Sequence, residues 1–225
     1  MDLNTLGRKY GTDKVNHGFL RVYEELFEKF KYEEINFLEI GVFFGSSIKM
    51  WREYLPKSKI FGLDHFTGYQ GNGNRFNDAE KYYNEWSEKE NKENIELFVV
   101  DQSKEDNLEN FAEYCKMSNI KFKVIIDDGS HLMYDQQITF IKLFELLEPN
   151  GYYIIEDIHT SEQDGYDLLN DKSNSTKRIF MDMKDGKRFN SVYSNENNEY
   201  INDNVKEIKL FRNAAWSQTL SILKK

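Results

Sequence analysis

The sequence holds one cysteine and two prolines, lacks an excess of basic residues, and contains no long apolar run. Each shortage closes a class of answer. A lone thiol cannot build an internal disulfide framework, and the helical pattern Phe111-Ala112-x-x-Cys115 predicts a buried helix residue in a reducing compartment. No stretch approaches the roughly 18 apolar residues of a membrane span, and the opening MDLNTLGRKYGTDK has no apolar signal core. The expectation is therefore no membrane partner and a cytoplasmic location. Thirty basic residues against 39 acidic ones give a net charge of -9, which argues against non-specific nucleic-acid binding. At 225 residues and 39% hydrophobic, the chain can bury the core of one domain, 1–225, with little room for a second.

What is present is a strand followed by a helix, repeated. Phe37–Ile40, Ile60–Asp64, Ile95–Val100, Phe122–Ile126 and Tyr152–Ile155 read as short buried strands. Helical spacing appears before the first of them, where Phe19, Val22, Tyr23, Leu26, Phe27 and Phe30 form a stripe expected to lie on the sheet edge. It recurs through Ile48–Leu55, closed by Pro56, through Tyr82, Tyr83 and Trp86, over Ser103–Met117, and from Ile138 to Leu147, ending near Pro149. From Asp64 to Asp78 the chain reads as loop, with Gly68, Gly71 and Gly73. Residues 159–204 are polar and lose the pattern, apart from a helix near Lys177–Met183; Val205–Phe211 and Thr219–Leu223 then alternate as strands able to pair antiparallel and finish the sheet. The whole predicts a doubly wound α/β fold with a seven-stranded, mostly parallel sheet.

Asn36–Trp51, NFLEIGVFFGSSIKMW, carries a glycine turn between the first strand and its helix. In open α/β folds such a turn is where cofactors bind, and it is equally an ordinary tight connection. Gly41 and Gly45 fit neither the dinucleotide fingerprint nor a phosphate loop. The strand ends are more informative, because all five finish in acid: Glu39, Asp64, Asp101, Asp127-Asp128 and Glu156-Asp157. Helix capping accounts for one or two of these more readily than for five. Asp64 falls one βαβ unit after Glu39, where a carboxylate takes a ribose hydroxyl pair. Asp101 is placed either to accept from an adenine amino group or to cap the next helix. Asp128, Glu156 and Asp157 stand at neighbouring strand ends within reach of one ion, and an all-oxygen set suits Mg²⁺, Ca²⁺ or Mn²⁺. His131, near the start of the following helix, reads either as a base for a metal-held hydroxyl or as a surface histidine.

The segments FLEIGVFFGSSIKMW, IFGLDHF, VVDQS, VIIDDGSH and YYIIEDIHTS, with KYGTDKVNHGF before them, resemble the class I S-adenosylmethionine-dependent O-methyltransferases that act on sugar hydroxyls, including macrolide sugar enzymes. The resemblance covers roughly residues 5–160, and the IDDGSH and EDxHTS segments carry most of its specificity. It implies a Rossmann-like class I methyltransferase fold. It implies that Glu39, Gly41, Gly45, Ser46 and Ser47 surround the methionine and ribose of S-adenosylmethionine, that Asp64 binds the ribose, and that Asp101 with Gln102 binds the adenine. Asp128, Glu156 and Asp157 would ligate Mg²⁺, with His131 as the catalytic base. Tyr10, Thr12 and Lys14, with His17, would belong to an N-terminal segment, 1–18, over the cofactor, which favours a lid over a fraying end. Residues 159–204 would shape the acceptor pocket.

Where relatives often carry a second histidine four residues past the base, this chain has Asp135. The chain is also compact beside the macrolide enzymes, so the expected acceptor is a sugar or nucleotide sugar and need not be a macrolide. A homodimer is expected from family habit and from Tyr82, Tyr83 and Trp86. Two readings compete with this one: a catechol-type O-methyltransferase, and a non-catalytic nucleotide-binding module whose acidic edge only caps helices.

Overall fold

The computed structural model describes residues 1–67, 94–167, 172–214 and 216–225. The helix expected through Tyr82, Tyr83 and Trp86, and the loop with Gly68, Gly71 and Gly73, lie outside the described residues.

Seven strands form one sheet: β1 (Asn36–Ile40), β2 (Lys59–Asp64), β3 (Ile95–Val99), β4 (Phe122–Asp127), β5 (Leu147–Ile155), β6 (Val205–Arg212) and β7 (Gln218–Lys224). Their order is β3-β2-β1-β4-β5-β7-β6, and β1 to β5 are mutually parallel. β7 runs antiparallel between β5 and β6, so the two C-terminal strands complete the sheet as their alternation predicts. The chain order reverses between β1 and β4, and an open α/β sheet opens its ligand crevice at such a point. Register then levels the strand ends: Ile40 sits opposite Leu63 and Asp127, and Asp127 opposite Ile155. The residues just beyond them, Gly41, Asp128 and Glu156, therefore emerge side by side. This is the class I methyltransferase architecture.

The central strands are apolar on both sides because both faces are covered, as parallel sheets require. On one face lie α1 (Leu3–Tyr10), α2 (Lys14–His17), α3 (Phe19–Phe27) and α4 (Ser46–Tyr54), meeting Phe37, Ile60, Ile126 and Ile154. On the other are α5 (Glu105–Met117), α6 (Met133–Leu143), α7 (Thr176–Lys184) and α8 (Asn198–Asn204), packed on Leu38, Phe61, Ile125 and Tyr153. Cys115 is fully buried in α5. Among the described residues no helix is long and apolar enough to cross a membrane.

Several boundaries differ from expectation, each for a local reason. The stripe of α3 packs on the face of the sheet rather than its edge: Tyr23 stacks on Phe27 at 5.3 Å, and Phe27 meets Phe37 edge-on at 6.0 Å. α5 begins at Glu105, because Asp101 Oδ1 accepts from the Ser103 amide and hydroxyl and holds the chain in a turn first. β5 begins at Leu147 and passes through Pro149: its pairing slips from Phe122↔Leu147 to Val124↔Tyr152, and Asn150 turns to φ 56°. The bulge absorbs the proline, which could not have donated to an unbroken ladder. The N-terminus is folded: Asp2 caps α1 at the Thr5 amide, and Leu3 and Leu6 are buried.

Candidate active site

Gly41 fixes how closely two of the acidic strand ends approach. Its φ is +90°, and a Cβ there would stand 2.0 Å from the Asp128 carbonyl oxygen, so a side chain would push apart the turns after β1 and β4. Gly45, at φ 72°, precedes Ser46 at the start of α4, and the Ser47 hydroxyl donates to Glu39 Oε2 at 2.7 Å. Asp64 draws the next turn in, its two oxygens accepting from the Phe43 and Phe66 amides at 2.8 Å each. Gln102 is buried between strand ends, where Nε2 donates to Asp127 Oδ1 at 2.8 Å and Oε1 accepts from the Ser130 amide at 3.0 Å. Burial pushes the Asp127 carboxyl up to about 7 against that hydrogen bond.

A buried cation of the site comes from the N-terminal segment. Lys14 is 1% exposed, and its Nζ lies 2.5 Å from Asp128 Oδ2, 2.8 and 2.9 Å from the two Glu156 oxygens, and 3.2 Å from Glu39 Oε1. Tyr23 donates its hydroxyl to the same Glu156. Burial opposes the charge on Lys14, but Asp128, Glu156 and Glu39 outweigh it and hold the ammonium well above its ordinary pKa. Glu156 and Glu39 are fully buried beside it.

The other half of the acidic edge carries imidazoles. His131 Nε2 is 3.9 Å from Asp128 Oδ1 and 3.6 Å from Asp157 Oδ2. Asp128, His131 and Asp157 each bring one ligand atom within 4.8 Å of the others. His131 and Asp157 both hold left-handed backbone, φ 61° and 49°, a strained state for side-chain-bearing residues that concentrates at functional sites. The Thr160 hydroxyl donates to the His131 carbonyl at 3.2 Å and pins that turn. Asp157 Oδ1 faces His17 Nδ1 at 3.5 Å and His159 Nδ1 at 3.6 Å. Burial acts to raise the Asp157 pKa, and the neighbouring imidazoles of His17, His131 and His159 override it, so the carboxyl sits below its ordinary value.

The structure thus joins Asp128, His131 and Asp157, and it does not bring Glu156 into that group, because Lys14 and Tyr23 occupy its oxygens. Lys14 serves the carboxylates, and the Tyr10 hydroxyl donates to Glu53 on α4. Thr12 Oγ1 accepts from the Lys14 amide at 3.4 Å. Asp101 holds the turn at Ser103 and does not cap α5, whose N-cap position is Lys104. The role of Tyr23 was hidden because its spacing also fits a core stripe. His17 and His159 do lie within the recognised N-terminal and EDIHTS segments.

The carboxylate and histidine set fits a hard divalent cation. Asp128 and Asp157 supply oxygen, and Asp157 Oδ1 is buried without a hydrogen-bond partner. At the other strand ends, Glu39 accepts from Ser47 and faces Lys14, and Asp64 accepts from two amides beside the glycine turn.

No family model matches the chain. A tetracenomycin-C rhamnosyl 3'-O-methyltransferase of Streptomyces olivaceus is 29% identical over 174 residues, covering 73% of this chain and 39% of that protein. Mycinamicin VI 2''-O-methyltransferase of Micromonospora griseorubida is 24% identical, covering 96% of this chain and 52% of its own length. The chain therefore spans about half or less of the curated relatives it matches. Among solved structures, the MycE methyltransferase of the mycinamycin pathway, in complex with Mg, S-adenosylhomocysteine and mycinamycin VI, superposes over the whole chain and 54% of its own, with a TM-score of 0.74 and 23% identity. The sequence relatives are named as sugar and macrolide O-methyltransferases, and the structural likeness shows the class I methyltransferase fold.

Proposed function

We propose that this chain transfers the methyl group of S-adenosylmethionine to a ring hydroxyl of a sugar, with Mg²⁺ as its metal. The observation that carries the reading is the meeting of Asp128, His131 and Asp157 beyond the ends of β4 and β5, beside the point where the strand order reverses. The relatives' names support it, since they describe methylation of hydroxyls on sugars attached to antibiotics. Asp128 and Asp157 would hold the ion. Bound there, a divalent cation would supply Lewis acidity that lowers the pKa of a hydroxyl. His131 accepts the proton of that hydroxyl at Nε2, between the two carboxylates. Asp157, flanked by His17 and His159, fixes the direction in which its other oxygen points. Glu39 and the Gly41–Ser47 turn cradle the methionine end of the cofactor, and Asp64 takes the ribose. Asp101 and Gln102 border the adenine. Lys14 offsets the charge of Glu156 and seals the floor against water, leaving positioning as the main work of the protein.

The same reading makes residues 1–225 one catalytic domain, with 1–18 as a lid and about 159–204 shaping the acceptor pocket. It gives a cytoplasmic homodimer acting on a nucleotide-linked or glycan-attached sugar. Light scattering should return twice the 26.8 kDa chain mass, and a monomer across the micromolar range contradicts the dimer. Incubation with labelled S-adenosylmethionine, Mg²⁺ and a panel of nucleotide sugars and methyl glycosides tests the activity, with mass spectrometry locating the methyl group. Transfer to a ring hydroxyl is the expected result. Transfer only to catechols overturns it.

A further inference from the structure

Trp216 is 54% exposed, and it stands over the imidazole half of the site. Its ring meets His17 edge-on at 4.5 Å between centroids and 74° between planes, and it meets His159 at 5.9 Å and the same angle. Those two histidines are the ones that face Asp157 Oδ1 from the other side. The indole is therefore one imidazole layer away from a carboxylate of the candidate metal site.

Its position is built. Trp216 lies in the turn joining β6 to β7, where the Asn213 amide donates to the Ser217 carbonyl at 3.0 Å and Asn213 Nδ2 donates to Thr219 Oγ1 at 2.5 Å. Gly18 lets the N-terminal segment approach that turn, since a Cβ there would come within 2.8 Å of the Asn213 carbonyl oxygen. Three separate pieces of chain, carrying His17, His159 and Trp216, thus converge at one rim.

A pyranose presents hydroxyls around its edge and an apolar patch of C–H bonds on its face. The groups gathered at the reacting end, Asp128, His131, Asp157 and His159, can serve only the hydroxyls. Among the described residues other large apolar side chains are exposed, but Phe43 belongs to the β1 turn beside Asp64, and Trp216 is the one in ring contact with the histidines of the site. We propose that Trp216 is the acceptor platform, a flat indole against which the face of a pyranose stacks while one of its hydroxyls reaches the Asp128–His131–Asp157 group. The proposal rests on the sugar O-methyltransferase reading. Tryptophan suits the task because its large rigid surface is ordered at little entropic cost and because aromatic contacts add to simple burial.

The test uses the full chain with Mg²⁺ and S-adenosylhomocysteine. Binding of methyl α-L-rhamnopyranoside and methyl β-D-glucopyranoside is read by saturation-transfer NMR, and KM and kcat are read with S-adenosylmethionine. Trp216→Ala and Trp216→Leu should each raise the glycoside Kd and KM about tenfold, and Trp216→Phe about threefold, with kcat moving less than about threefold. Cofactor affinity and the melting temperature should hold in all three, which sets aside a folding defect. Recovery of wild-type affinity by leucine shows that only packing on the histidines matters, and it overturns the platform. Unchanged KM in Trp216→Ala overturns it too, while the sugar reading stands. A wild-type protein that binds cofactor and Mg²⁺ but neither glycoside overturns the sugar reading and the platform together.

Discussion

One acidic edge is finished in two different ways. On the Lys14 side, Glu39 and Glu156 are fully buried, one ammonium faces both from inside the protein, and the Tyr23 hydroxyl donates to Glu156. On the His131 side, Asp128 Oδ1 and Asp157 meet imidazoles at 3.5 to 3.9 Å, distances that leave the oxygens open to a ligand. Asp128 belongs to both, with one oxygen turned each way. The difference teaches that carboxylates in one row of strand ends can be met by different partners. A fully buried charge needs a fixed partner wherever no ligand supplies one, whereas Asp128, its side chain 22% exposed, can wait for a cation.

The largest way to break this comparison is to remove the internal cation. Lys14→Met leaves buried carboxylates without their partner, and a loss of about 3 to 5 kcal/mol of stability is expected by chemical denaturation. A near-neutral result would mean that the carboxylates are neutralised some other way. Next comes the open half: His131→Ala should slow methyl transfer by about 10²- to 10⁴-fold while the fold and cofactor affinity persist, as measured by single-turnover kinetics and calorimetry. Loss of stability comparable to that of Lys14→Met would erase the contrast between the two halves. The smallest effect belongs to Tyr23→Phe, which removes one hydrogen bond to Glu156 and leaves Lys14 in place. It should cost about 1 to 2 kcal/mol of stability with transfer nearly unchanged.

Much of this was legible in the sequence, and the limits have physical causes. Periodicity placed the five parallel strands, the antiparallel finish and the helix at Thr176–Lys184, because each pattern is local. The acidic strand ends were visible for the same reason. Their division was not, since Lys14 meets Asp128 and Glu156 across 114 and 142 residues of chain, and nothing near Lys14 announces where its side chain goes. Tyr23 read as core because its five companions on the stripe, Phe19, Val22, Leu26, Phe27 and Phe30, are apolar, and all five are buried. The bulge at Pro149 was read as a stop because proline punctuates, yet the strand absorbs it by slipping register.

Calorimetric titration of Mg²⁺ into Asp157→Asn and Glu156→Gln, side by side with the wild type, tests the division most directly. Asp157→Asn should lose about 10²-fold in affinity, the scale on which an oxygen site responds to a lost ligand charge, and Glu156→Gln should lose far less while melting at a lower temperature. If Glu156→Gln abolishes Mg²⁺ binding as fully as Asp157→Asn, then Glu156 is a ligand, Lys14 yields its place to the metal, and the two halves are one site.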